Sequence, residues 1–263
     1  MIASIIKILA GVAIGVFIVL WFFQEHLIFF PRSLASRPVR PGVAEVVVVA
    51  PDGSKLRGWF LRGEGARAPL VIYFGGNAEE VSWLSEAADR FAGWSLLLLN
   101  YRGYGESEGR PSEEALLADS LAIHEFAKAL PDVDPERIVA MGRSLGSGVA
   151  VHLAAERALR GVILVSPYDS LVAVAAHHYP FLPVSLMLRH RFDSFSRAPR
   201  IDAPLLCLVA ADDRVVPVSH SRTLFQAWRG RKTWREIPRA DHDSIAGEPE
   251  YWSAIADFLK AIR

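Results

Sequence analysis

The sequence predicts an α/β protein, a mostly parallel central sheet of about eight strands with helices on both faces. Three observations lead there. Short β-branched and aliphatic runs recur along most of the chain, separated by stretches of helical periodicity. The pentapeptide Gly142-Arg143-Ser144-Leu145-Gly146 stands where one such run, 137–141, gives way to an apolar helical run, 147–155. The length of 263 residues suits one such domain plus an appendage.

The appendage comes first. Residues 8–23 carry no charge, and 2–6 extend the run with Lys7 as its single interruption. A bilayer is crossed by about 20 apolar residues, Lys7 is near enough to the end to snorkel, and Trp21 suits an interface. Residues 1–23 are therefore expected to form a transmembrane helix and to give the protein a single-pass membrane localisation. A cleaved signal peptide fits less well, because no A-x-A-like site follows and Gln24-Glu25-His26 is a poor cleavage context. Arg32, Arg37 and Arg40 after the segment, against Lys7 and the terminal amine before it, favour a cytoplasmic catalytic domain by a small margin. The Gly11 and Gly15 spacing is read as small residues in an apolar helix rather than a pairing motif.

A connector with Pro31, Pro38 and Pro41 spans 24–44, and the main domain is expected over 45–263. Asp52-Gly53 between 46–49 and 55–61 marks a hairpin. A buried strand at 70–74 ends in Gly75-Gly76-Asn77, followed by a helical pattern at 79–91 and a strand at 95–99. Ser112, with Glu113 and Glu114 in the first turn, starts a helix over 113–130. After the strand 137–141 and the helix behind Ser144 comes a strand at 161–165. The alternation then breaks. Residues 167–200 are rich in apolar side chains and precede the next strand at 205–209, so they are expected to form a small helical lid over the strand C-termini, where ligands bind in open α/β sheets. The chain closes with a strand at 233–237 and a helix over 250–262.

Composition narrows the function. A net charge of zero favours no nucleic acid or polyanionic partner. The single cysteine, Cys207, lies in an apolar run and reads as a buried thiol without an intrachain disulfide. His177 and His178 lack the accompanying carboxylates or cysteines of a metal site, so neither metal nor cofactor is expected. Oligomeric state is left open.

The pentapeptide carries the chemistry. A strand turning sharply into a helix strains its corner residue, small flanking residues make room for it, and the helix N-terminus favours developing negative charge. Ser144 is thus the candidate nucleophile. A serine hydroxyl needs a base, and the base an orienting carboxylate. His242, in the loop after 233–237, is the candidate base; His124 and His152 lie inside helices, and His220 heads a helical run. Asp212 and Asp213, after 205–209, are both candidates for the acid. Oxyanion donors are expected from the Leu145 N–H and from the loop after the third strand, with Asn77 preferred and Gly76 the alternative.

These stretches resemble the α/β-hydrolase superfamily, and within it the membrane-anchored branch that includes depalmitoylating thioesterases and many uncharacterised bacterial hydrolases. The resemblance runs from about Gln24 to the C-terminus. It is carried by Gln24-Glu25-His26-Leu27-Ile28-Phe29-Phe30-Pro31, Tyr73-Phe74-Gly75-Gly76-Asn77-Ala78, Asn100-Tyr101-Arg102-Gly103-Tyr104-Gly105 and Gly142 to Gly148. It continues through Phe192-Asp193-Ser194, Asp213 to Pro217 with His220, and Asp241-His242-Asp243. It implies the α/β-hydrolase fold and a Ser144, Asp213, His242 triad, the acid being the aspartate four positions before the proline at 217. One departure is Gly75, where the family usually carries histidine.

The expected activity is that of a serine hydrolase acting on carboxylic esters or thioesters of small-molecule or lipid-like acyl groups through an acyl-enzyme. An amidase or serine aminopeptidase is the alternative, for which Glu79, Glu80 and Asp169 are possible partners of a substrate amine. A non-catalytic binding protein would usually lack one member of the serine, acid and histidine set, and all three occur here in order.

Overall fold

The computed structural model describes the backbone of residues 2–263 and, within the first helix, the side chains of Ser4, Lys7 and positions 17 onward. Eight strands form one sheet: β1 (Val43–Val49), β2 (Lys55–Leu61), β3 (Ala68–Phe74), β4 (Ser95–Leu99), β5 (Val133–Arg143), β6 (Gly161–Val165), β7 (Leu205–Ala210) and β8 (Lys232–Ile237). Their spatial order is β1-β2-β4-β3-β5-β6-β7-β8. The β1–β2 and β2–β4 pairings are antiparallel and the remaining five are parallel.

The helices are α1 (Ile2–Ile28), α2 (Glu113–Ala129), α3 (Leu145–Glu156), α4 (Leu171–His178), α5 (Val184–Met187), α6 (Val218–Ala227) and α7 (Pro249–Ala261). Strand alternation sorts the core into two layers. Leu70, Ile72 and Phe74 of β3 join α2, α3 and α6 on one face. Val71 and Tyr73 join α7 and the segment Val81–Phe91 on the other. Ser112 caps α2, its hydroxyl accepting the Ala115 N–H at 3.1 Å.

Most expected elements appear within a few residues of their predicted bounds. The pattern at 79–91 is a 3₁₀ helix over Val81–Phe91 rather than an α-helix. The Ser85 hydroxyl donates to the Ser82 carbonyl at 2.6 Å, occupying an acceptor that an α-helical ladder would use. Two short helices, α4 and α5, fill the stretch between β6 and β7.

The N-terminus requires a correction. Among the described residues no helix is long and apolar enough to cross a membrane. Many of the side chains on which the expected span rests lie outside the described residues. What is described shows the end of α1 built into the body of the protein. The Gln24 side chain, in a residue only 4% exposed, donates to the Met187 carbonyl at 3.4 Å and accepts the Arg189 N–H at 2.7 Å. Glu25 pairs with the Arg189 guanidinium at 3.3 Å, and that guanidinium lies 5.6 Å from the Trp21 ring centroid. Trp21, which the expected span would place at a membrane interface, lies instead against the guanidinium of Arg189 in the domain. The expected transmembrane helix over 1–23, the single-pass membrane localisation with its cytoplasmic preference, and the membrane as a partner are overturned.

Candidate active site

Parallel strands running the same way bring their following loops to one edge of the sheet. Register aligns Tyr73 with Met141 and Phe74 with Gly142, and Arg143 with Val165. The turn Gly75-Gly76-Asn77 follows β3, Ser144 follows β5, Asp213 follows β7 and His242 follows β8.

Ser144 sits at φ 49° and ψ −117°, a backbone conformation L-residues rarely adopt. Its neighbours make this corner possible. A Cβ on Gly142 would come 2.2 Å from the Gly146 carbonyl oxygen, and one on Gly146 would come 2.1 Å from that of Phe74. The corner is anchored by the Ser144 N–H donating to Val165 O at 2.9 Å. α3 begins at Leu145, so the Leu145 N–H, next to the serine, has no intrahelical carbonyl to donate to, whereas the Ser147 N–H donates to the Ser144 carbonyl at 2.9 Å.

His242 Nε2 lies 3.0 Å from Ser144 Oγ, and its Nδ1 lies 2.8 Å from Asp213 Oδ2. An ionised carboxylate only accepts, so Nδ1 carries the proton and Nε2 is left to accept from the serine hydroxyl. The Asp213 side chain is fully buried, and its Oδ1 accepts the Val215 and Val216 N–H groups at 3.0 and 2.8 Å. Burial raises the Asp213 carboxyl, but the hydrogen bond and charge of His242 and the Val216 N–H outweigh it. The group is held below the usual carboxylate range. Asp212 is exposed and touches neither His242 nor Ser144 through a hydrogen bond among the described residues.

The β3 turn is pinned from several sides. The Tyr101 hydroxyl donates to the Gly75 carbonyl at 2.9 Å, and the Tyr104 hydroxyl and Phe30 N–H both donate to the Asn77 carbonyl. The Gly76 N–H donates to Glu79 Oε2 at 2.7 Å. The Asn77 N–H has no protein acceptor among the described residues, and Asn77 lines the same cleft as Ser144 and Leu145.

Arg143, inside the pentapeptide, ties these loops together. Its guanidinium contacts Glu79 Oε2 at 3.2 Å, the His242 carbonyl at 2.9 Å and Asp243 at 3.2 Å. Glu79 in turn accepts from Gly76, from the Tyr73 hydroxyl at 2.6 Å and from the Trp83 indole at 2.8 Å. The bridge was not foreseen from sequence. Its signal was a charged residue in the pentapeptide and an acid four positions after Gly75, each ordinary alone.

The remaining candidates have local duties. Glu80 accepts from Ser82 N and the Asn100 amide, and Asp169 Oδ1 lies 3.0 Å from His220 Nδ1. His124 is buried beside Glu125, and His178 Nε2 lies 3.0 Å from the Val215 carbonyl. Among the described residues no group of three or more His, Cys, Asp or Glu side chains could hold a metal ion. Above Ser144 is a cleft of about 550 Å³ with mainly apolar walls, among them Leu27, Leu145, Leu171, Val174 and Val215.

The family model for serine aminopeptidase, S33, matches residues 65–192, which include Ser144 but neither Asp213 nor His242. The uncharacterized protein Rv2307c of Mycobacterium tuberculosis is 38% identical over 245 residues, 91% of this chain and 87% of that protein. The alpha/beta hydrolase domain-containing protein WAV2 of Arabidopsis thaliana is 27% identical over 285 residues, covering 96% and 91% of the two chains. The chain belongs to the α/β-hydrolase family. Solved structures agree on the fold of this hydrolase. The acetyl xylan esterase from Paenibacillus sp. R4 superposes with a TM-score of 0.69 at 21% identity, covering 87% of each chain.

Proposed function

We propose that this α/β hydrolase is a serine esterase or thioesterase acting on apolar acyl groups through an acyl-enzyme. The observation that carries the reading is the hydrogen-bonded series Ser144–His242–Asp213, at 3.0 and 2.8 Å, opening into an apolar cleft. Ser144 Oγ attacks the acyl carbon while His242 Nε2 takes its proton; Asp213 holds the tautomer and the imidazolium that forms. The Leu145 and Asn77 N–H groups stabilise the oxyanion. His242 then protonates the departing alcohol or thiol and activates the water that releases the acid. In this reading 24–44, which begins within the last turns of α1, links that helix to the hydrolase domain over 45–263, and 167–200 is a lid closing the cleft.

The S33 family model supports an aminopeptidase as a second reading. A substrate ammonium would need an unengaged carboxylate at the cleft. Glu79, Glu80 and Asp169 are instead engaged by Arg143, Asn100 and His220 respectively, which favours esters.

Labelling with a fluorophosphonate, alongside hydrolysis of p-nitrophenyl butyrate and an aminoacyl-p-nitroanilide, tests the reading. Expected are modification of Ser144, turnover of the ester, and loss of both in Ser144→Ala. Ester turnover that survives Ser144→Ala refutes the nucleophile, and anilide turnover exceeding ester turnover reverses the choice of substrate.

A further inference from the structure

A second apolar cavity, of about 570 Å³, lies between α1 and the α4–α5 hairpin. Leu20, Phe30, Leu182, Val184 and Met187 line it and do not line the Ser144 cleft. Leu27, Ile28, Ala175, Tyr179 and Leu188 line both, so the two cavities are adjacent and share one largely apolar wall. The polar side chain that sits deepest in its wall, Gln24, is already engaged. Its amide donates to the Trp21 and Met187 carbonyls and accepts from Arg189 N. A polar headgroup or a peptide backbone would therefore be buried there with few partners, at a cost that a hydrocarbon chain does not incur.

We propose that this cavity is an acyl-chain subsite. It is occupied by the hydrocarbon tail of a fatty acyl ester or thioester whose carbonyl carbon lies at Ser144. The chain leaves the serine past Leu27, Ala175 and Leu188 and lies between α1 and α5, which makes α1 a specificity-determining wall of the site. This inference rests on the ester-hydrolase reading. The cavity volume falls within the roughly 300–1,000 Å³ usual for small-molecule sites. Each methylene that enters it is expected to raise kcat/KM about three- to fourfold until the cavity is full. The Gln24 clamp keeps the α1 wall in register with α5.

The test is a p-nitrophenyl ester series from acetate to hexadecanoate, run on the full chain and on two variants from opposite walls, Leu20→Trp and Met187→Trp. Wild type is expected to prefer medium chains over acetate. In each variant the dodecanoate-to-acetate ratio of kcat/KM is expected to fall at least about tenfold, as a filled pocket rejects added methylenes. An unchanged ratio in variants that retain the wild-type circular dichroism overturns the subsite. So does a flat chain-length response in wild type that still hydrolyses acetate and still labels at Ser144; that outcome leaves the ester-hydrolase reading standing. No ester turnover and no labelling overturns both. Should the variants fail to fold, competition decides. Dodecanoate below its micellar concentration is expected to inhibit acetate-ester hydrolysis by wild type competitively, and absence of inhibition overturns the subsite.

Discussion

Replacing Arg143 with methionine removes the cation that joins three loops while keeping much of the side-chain length. Arg143 and Glu79 are 17% and 10% exposed, so their contact is poorly screened; Asp243, 89% exposed, contributes little. Stripping a buried carboxylate of its cation costs about 3–5 kcal/mol when nothing else holds it. Glu79 keeps the Gly76 N–H, the Tyr73 hydroxyl and the Trp83 indole, which places that cost toward the low end. With the lost bond to the His242 carbonyl, Arg143→Met is expected to destabilise by about 3 kcal/mol. The double variant with Glu79→Gln leaves no unpaired charge and should cost less than the sum of the singles, with a coupling of about 1–3 kcal/mol. Urea denaturation of all four proteins measures this. The same variant should lower kcat/KM about 10- to 100-fold well below its melting temperature, because the turn bearing Asn77 and the loop bearing His242 lose their shared tether. Additivity within about 0.5 kcal/mol, together with unchanged kcat/KM, would refute the bridge.

Asp213→Asn should cut kcat/KM about 10⁴-fold by unsettling the His242 tautomer, whereas Asp212→Asn should leave it within a few-fold; steady-state kinetics on one short-chain ester distinguishes the two aspartates. The Asp213 carboxyl lies below its unfolded value of about 3.9. Its contribution to stability is therefore present above that pH and is lost as pH falls through the lower folded-state value. Urea midpoints between pH 6 and 3 should accordingly drop less for Asp213→Asn than for wild type, and equal slopes would contradict the assignment. Gly146→Ala would set a Cβ against the Phe74 carbonyl, so a melting temperature lowered by at least about 4 °C is expected; a calorimetric scan that leaves it unchanged would show that the corner can relax.

Local chemistry made much of the fold readable. The Ser112 cap, the Asp52-Gly53 turn and the short aliphatic runs act over a few residues, and each marks an element the structure contains. Ser144 was legible for the same reason: strand, crowded glycine corner and helix are contiguous, and the strain at its backbone follows from those neighbours. His242 and the pair Asp212-Asp213 could be placed after their strands. Which aspartate faces the histidine depends on how the β7 loop folds back through the Val215 and Val216 N–H groups.

Other features arise only when distant segments meet. Arg143 and Glu79 are 64 residues apart, and their contact exists because β3 and β5 are neighbours in the sheet. The N-terminal helix is the sharpest case. Its apolar run alone satisfied the length rule for a membrane span, since hydropathy registers the absence of charge and not what the helix touches. Gln24 and Glu25 find their partners on α5 and just beyond it, more than 160 residues away, and the helix end becomes a wall beside the Ser144 cleft. The sequence by itself determined the layered fold and the candidates for the chemistry, because those depend on periodicity and local turns. Tertiary structure alone decided what surrounds Ser144, because burial and pairing between distant segments are properties of the folded chain.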